Sequence, residues 1–244
     1  MPVQPPPDAW LRRVATDRRL KRVRRKTIER AAQHLKAAGL QLALVDRANT
    51  ETLAPKSVQD EGDGVDAALA LLTLIAAELA CISGRLLSGE HHYAGAALLR
   101  QVVEIEYLTW AFANGKRDAD LWLNSTREER MSFFSPKKLR KSSGGRFEDD
   151  DYTYHCEQGG HPVPGASHLI GEGSDEPAQV LLIDLLLHSW RITDNVIRCV
   201  QGLDEEHNAA QDSLHKSQRA LGAWGQQDPY YTYLCSMAPK SPMQ

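Results

Sequence analysis

HHYAGAALLRQVVEIEYLTWAFAN, His91 to Asn114, is apolar on almost every face when wound as a helix. That is the pattern of an element covered by neighbours on several sides. Its middle nevertheless carries Arg100, Glu104 and Glu106. Charges in so apolar a helix must be matched by partners or must line a cleft, because a buried charge without a partner is costly.

Just upstream, Val65 to Leu87 forms a second apolar-rich helix with Glu78 and Arg85 as inner polar residues, and SGEHH, Ser88 to His92, makes the turn between the two. Long apolar helices joined so tightly pack as an antiparallel hairpin. Downstream the punctuation is that of short helices. Ser125 with Glu128 and Thr126 with Glu129 have capping-box spacing, Ser135 precedes Pro136 as an N-cap precedes a first-turn proline, and Gly144-Gly145 ends that piece. A further piece near Glu148 to Glu157 stops at Gly159-Gly160, and Pro162 and Pro164 then keep the chain extended. SDEP, Ser174 to Pro177, opens a helix from about Ala178 to Val200 with Asp184, His188, Arg191, Asn195 and Arg198 in one polar stripe. A polar helix, Asp204 to Leu221, and a tail with Trp224, Tyr230, Tyr231 and Tyr233 follow.

Toward the N-terminus, Asp8 is a plausible N-cap for a helix running to about Ala38 and stopped at Gly39. Arg18, Arg19, Arg22, Arg25 and Lys26 make one of its faces strongly basic. Such a face is either a solvated surface or packing arm, or a site for a polyanion such as RNA. Gln41 to Gly64 looks like a connector, within which LQLALV, Leu40 to Val45, fits a strand or a helix end. No strand pair, glycine-rich phosphate loop or internal repeat is evident. The expectation is an all-α protein, an irregular helical bundle around a central antiparallel helix hairpin. Its parts are a basic helix over 1–39, a linker over 40–64, the bundle over 65–222 and a tail over 223–244.

The chain has 244 residues, 42% apolar and 25% charged, with a net charge of −3. That balance is ordinary for a soluble globular protein and argues against a wholly basic nucleic-acid binder. Four cysteines without a CxxC pair suit a reducing compartment rather than a disulfide or zinc framework. PVQPPPDAW at the start lacks the pattern of a secretory signal, and the apolar run Ala67 to Ala77 is short for a bilayer and is followed by Glu78. A cytoplasmic protein without membrane contact is expected.

Arg100 and Glu104 are four apart and share one helical face, as an internal polar network or as a cleft wall. The second cluster is YTYHCEQGGHP, Tyr152 to Pro162. Within it His161 reads as a capping residue or as an acid-base group titrating near neutrality, and Cys156 as an inert or a reactive thiol. His91 and His92 are adjacent and cannot face the same way on a helix, and the paired Glu-x-x-His of a di-iron bundle is missing. Neither a metal nor a cofactor is expected, and no Gly-x-Ser-x-Gly turn signals a serine nucleophile.

The run from Tyr93 to Pro162 resembles an uncharacterised family of bacterial helical proteins. In that family an apolar helix bearing Leu-Leu-Arg-x-x-x-Glu is followed by a Tyr-x-x-Cys/Ser segment closing on His. Here the matching residues are Leu98, Leu99, Arg100, Glu104, then Tyr154 and Cys156, one residue closer than the pattern, and His161. The likeness extends over about Val65 to Pro162. More distantly the layout is similar to HEPN domains, helical bundles of toxin-antitoxin and phage-defence systems, many of them metal-independent ribonucleases completed by dimerisation. Their Arg and His, four to six residues apart, match Arg85-LLSGE-His91, although Leu86 stands where a polar residue is expected.

This likeness implies a homodimer in which His91, His92 or His161 takes the proton from a ribose 2′-OH. Arg85 or Arg100 would stabilise the phosphorane and Glu104 would orient the arginine. The competing expectation is a non-catalytic, dimerising interaction or regulatory module with a protein partner, in which Arg100 and Glu104 are paired for stability. A small-molecule enzyme with a pocket between helices is the third.

Overall fold

The computed structural model describes residues 8–51, 63–171 and 173–237, and among them there is no β-strand. The chain is an all-α bundle. Helix α1 (Asp8–Thr16) gives way to α2 (Arg18–Glu51) at Asp17. The Asp17 carboxylate accepts the backbone N–H groups of Arg19 and Leu20 at 2.6 and 3.2 Å. The single N-terminal helix read from the sequence is therefore two, broken by an internal N-cap.

Helix α2 does not stop at Gly39. A Cβ there would lie 2.8 Å from Leu74 Cγ and 3.2 Å from the Ala70 carbonyl oxygen, so this glycine permits close approach of α3 (Asp63–Ser88) instead of ending a helix. LQLALV is the continuing helix, with Leu42 and Val45 buried and Leu44 exposed. The expected linker is thus helical from 40 to 51, and its remainder, 52–62, lies outside the described residues.

The expected hairpin is present: α3 turns through Gly89 and Glu90 into α4 (His92–Ala113). Leu69, Leu72 and Leu87 of α3 and Leu99, Val102, Val103 and Tyr107 of α4 are buried in the main core. Glu78 and Arg85, expected inside, instead lie on the outward face of α3 beside Leu71, Ile75 and Ile82. Residues 64–88 are long and apolar enough to cross a membrane by length and composition, with 44% of the most apolar window buried by packing.

Short helices α5 (Ala119–Leu123), α6 (Arg127–Glu129), α7 (Pro136–Ser142) and α8 (Asp149–His155) cross one side of this hairpin. The capping box is real at Thr126: its hydroxyl accepts from Glu129 N–H at 3.2 Å while its own N–H donates to Glu129 at 2.8 Å. Helix α8 runs on into a wide π-turn, Cys156–Gly160.

Helix α9 (Asp175–Val200) opens at SDEP, three residues earlier than the sequence suggested, and packs on α3 and α4. Helix α10 (Asn208–Gln227) lies on α2, and α11 (Pro229–Met237) follows. The tail expected from 223 is therefore partly α10, with Trp224 in the core, and partly α11.

One buried ion pair ties the two ends of the described chain together. Arg24 donates through Nε and Nη2 to Asp228 at 2.8 and 3.1 Å and through Nη1 to Gln179 at 2.8 Å. Asp228 also accepts from Trp224 Nε1 at 3.0 Å and from the N–H groups of Tyr230 and Tyr231. So many donors compensate the loss of water around both charges.

Candidate functional site

Helical geometry divides the charges of α4. Arg100 and Glu104 lie one turn apart on one face, and Glu106, about 200° around from Glu104, faces another way. Two polar clusters result, on different sides of the helix.

The first is a closed triangle. Arg100 Nη2 lies 3.1 Å from Glu104 Oε1 and donates to the Tyr152 hydroxyl at 3.1 Å, and that hydroxyl donates to Glu104 Oε1 at 3.0 Å. The Arg100 and Glu104 side chains are 27% and 32% exposed, so this is a half-buried pair and not the deep one expected of a purely structural network. Burial pushes the Tyr152 phenol up against the pull of Arg100, and the hydrogen bond that Arg100 donates to Tyr152 raises Arg100. Tyr152 was missed because the family pattern directed attention to Tyr154, which is exposed and stacks edge-on with His155.

The glycines of YTYHCEQGGHP have their own explanation. A Cβ on Gly159 would come within 2.3 Å of Ala97 N and 2.5 Å of Ala96 C, so the π-turn rests directly on the α4 backbone. Gly160 lies against the Arg100 side chain. His161 is therefore next in chain to a residue touching Arg100, with its N–H donated to the Cys156 carbonyl at 3.1 Å. Its side chain is exposed, and among the described residues it makes no hydrogen bond or ion pair. His161 does stand at the C-cap of this turn, in extended backbone with φ of −140°, and it caps through its backbone N–H.

The second cluster is deeper and links three elements, α4, α8 and α9. His188 Nδ1 lies 2.5 Å from Glu106 Oε2, and its Nε2 lies 3.2 Å from Asp184 Oδ1. The other Asp184 oxygen is 3.4 Å from His155 Nε2, which in turn is 3.8 Å from Asp151 Oδ1. Arg191 Nη1 stands 3.7 Å from Glu106. Burial disfavours charge on His188, but the flanking Asp184 and Glu106 carboxylates outweigh it and push its pKa up to about 10. Burial holds His155 below the ordinary imidazole value, so it is neutral near pH 7. Asp184 is held down by His188 despite its own burial.

Beside this chain of groups lies a cavity of about 350 Å³, lined by Glu106, Tyr107, Arg146, Asp151, His188 and Arg191 among others. The Tyr107 hydroxyl in its wall is buried and has no hydrogen-bond partner. The sequence did carry the signal: Asp184 and His188 are spaced i,i+4 in the polar stripe of α9, and His155 sits inside the singled-out motif. Nothing in the linear chain says that α8 brings His155 to that stripe.

The third locus is the α3–α4 turn. Arg85 is exposed and reaches Glu29 at 3.3 Å, and His91 is exposed at the N-cap of α4 without capping it by its side chain. His92 points inward, its Nδ1 3.0 Å from Ser174 Oγ and its Nε2 2.7 Å from the Gly89 carbonyl. The structure thus separates the six expected catalytic residues. Arg100 and Glu104 stay together and touch Gly160, the residue before His161, through Arg100; Arg85 is in the last turn of α3 and His91 stands at the N-cap of α4 across the hairpin turn, and Tyr154 lies at the surface of α8.

The basic face of α2 divides as well. Arg18, Lys21, Arg22 and Arg25 line a cleft of about 270 Å³ with Ser88, adjoining a larger one of about 730 Å³ bounded by Ser88, Gly89, Glu90, His92, Ser174 and Asp175. Lys21 is bound to Asp175 at 2.6 Å. Arg19 instead borders a separate cavity with Trp10 and Trp224, Lys26 is exposed, and Arg24 is buried.

Compared with known proteins, the chain matches no family model, no curated protein and no solved structure.

Proposed function

We propose that this protein binds a phosphate-bearing polyanion, RNA being the ligand class, where the basic face of α2 crosses the α3–α4 turn. The observation that carries this reading is the shared cleft of Arg18, Lys21, Arg22 and Arg25 with Ser88. Closely set cations along a helix neutralise successive backbone phosphates and release their counterions. Arg85 in the last turn of α3 and His91 at the N-cap of α4 are both exposed, and the HEPN likeness implies that they form a catalytic pair. In that stronger form the His91 imidazole accepts the proton of a ribose 2′-OH and the Arg85 guanidinium stabilises the charge that builds on phosphorus.

Binding of a fluorescent single-stranded RNA across a salt series tests the reading. The triple variant Arg18→Gln, Arg22→Gln, Arg25→Gln is expected to lose affinity and to flatten the salt dependence by about one slope unit per removed phosphate contact. Equal binding and equal slope in wild type and variant would overturn it. Incubation with total RNA then separates binding from cleavage, with Arg85→Ala and His91→Ala set against Arg100→Ala and His161→Ala.

A second reading, a homodimerising interaction module, is favoured by the outward stripe of Leu71, Ile75 and Ile82 on α3, each about 40% exposed. A second copy of the chain is its occupant, as the HEPN likeness implies. Ile75→Glu is expected to yield monomers in sedimentation, and a wild type that is already monomeric removes this reading.

A further inference from the structure

We propose that His155, Asp184 and His188 bind one divalent transition-metal ion of the zinc or iron(II) class, through Nε2 of each imidazole and the Asp184 carboxylate. The three ligand atoms lie within 4.8 Å of one another. Bonds of about 2.1 Å in tetrahedral array place neighbouring ligand atoms roughly 3.4 Å apart. The two distances from Asp184 oxygens, 3.2 Å to His188 and 3.4 Å to His155, already stand close to that edge.

A second, independent observation points to a ligand. His155 is 1% exposed, and its Nε2, enclosed and directed at Asp184, has no hydrogen bond. Carboxylates stand near it without a hydrogen bond being made, and a buried imidazole nitrogen left without one is an expense that folded proteins rarely carry and that a metal ion removes.

The surroundings of His188 fit the same role. Glu106 holds Nδ1, which fixes the ring so that Nε2 faces the other two ligands. A carboxylate on the far nitrogen of a ligating histidine is the usual support of such a site. An ion entering would replace the Nε2 proton of His188, which leaves to solvent, so affinity rises with pH.

Two imidazoles and one carboxylate form an intermediate donor set, suited to zinc and iron(II) better than to calcium or magnesium. Three protein ligands leave at least one position open, the pattern of catalytic rather than structural sites. His188 belongs both to the ligand set and to the wall of the adjoining cavity, and Asp151 is on that wall 3.8 Å from His155 Nε2. The open side therefore borders a polar space, lined by Arg146 and Arg191 together with Glu106, Glu148 and Asp151.

Sequence spacing alone pointed away from metal because Glu-x-x-His pairs were sought. The trio is instead one Asp-x-x-x-His turn of α9 joined by a histidine from α8.

The test uses the full chain, freed of metal by chelation and titrated with Co²⁺ by visible absorption and with Zn²⁺ by calorimetry. One ion per chain is expected, with the intense visible bands of four- or five-coordinate cobalt. His155→Phe fills similar space and breaks no existing hydrogen bond; it is expected to weaken binding at least ~100-fold and to change the cobalt spectrum, while Glu106→Gln weakens it ~10–100-fold. Asp184→Asn, nearly isosteric, decides the matter if His155→Phe does not fold by circular dichroism. No tight ion in wild type, or unchanged affinity and spectrum in the folded His155→Phe or Asp184→Asn chain, overturns the proposal. None of these readouts involves RNA, so the binding function proposed above stands or falls separately.

Discussion

The Arg24 guanidinium meets the Asp228 carboxylate side-on with two hydrogen bonds, at side-chain exposures of 0% and 1%. An arginine in the middle of a run of surface cations is thus the largest fully buried side chain among the described residues of α2. Arg24→Met strands a carboxylate and removes the partner of Gln179, and is expected to cost about 3–5 kcal/mol in urea denaturation. Arg24→Met combined with Asp228→Asn should recover part of that loss. Lysine cannot reproduce the side-on fork, so Arg24→Lys should rescue little. An Arg24→Met chain as stable as wild type would mean the pair contributes nothing.

Stability should respond to pH from two directions. Asp228, buried beside Arg24, titrates below its unfolded value, so its contribution is present above about pH 4 and is lost as pH falls through the folded pKa. His188 titrates above its unfolded value, at about 10. Its contribution is complete below about pH 6.5, the unfolded imidazole value, and is lost as pH rises toward 10. Urea midpoints measured from pH 5 to 10 should decline on the alkaline side, and the decline should shrink in His188→Gln.

Gly159→Ala should be far more damaging than alanine at a neighbouring surface position. The added methyl meets α4 backbone at 2.3 and 2.5 Å, where no rotamer can yield. Either the π-turn lifts off α4 or α4 bends, at about 3 kcal/mol. Gly160→Ala meets the flexible Arg100 side chain and should cost less. Thermal melts of the two variants give the comparison.

Tyr152→Phe deletes the hydroxyl that bridges Arg100 and Glu104, and a loss of about 1 kcal/mol is expected. Arg100→Ala should cost roughly as much, since both ionic side chains keep about a third of their contact with water. A loss near 3 kcal/mol for Arg100→Ala would show the triangle to be a structural keystone.

How far the chain could be read in advance depended on the range of the interaction concerned. The α3–α4 hairpin, the Thr126 capping box and the SDEP helix start were legible because each is a matter of periodicity or of residues three or four apart. Gly39 was misread as a helix stop, while the stop at Gly159-Gly160 was legible; that each glycine also admits a neighbouring helix is something no local pattern reveals. Arg24 was indistinguishable from Arg22 and Arg25 in sequence. Its partners Gln179 and Asp228 lie 155 and 204 positions away, beyond any local pattern. The His188 cluster was half visible, since α9 displays Asp184 and His188 together while Glu106 and His155 arrive from other elements.

Helix α8 spans only seven residues, yet it delivers Tyr152 to the Arg100 triangle and His155 to the Asp184 and His188 group. Two turns of hydrogen-bonded backbone have no joint between them, and the following turn is seated on α4 through Gly159. The two clusters are therefore mechanically one lever. A shift of α8 caused at His155 is expected to tilt the Tyr152 phenol beside Arg100, and a change in tyrosine emission on perturbing His155 would register it.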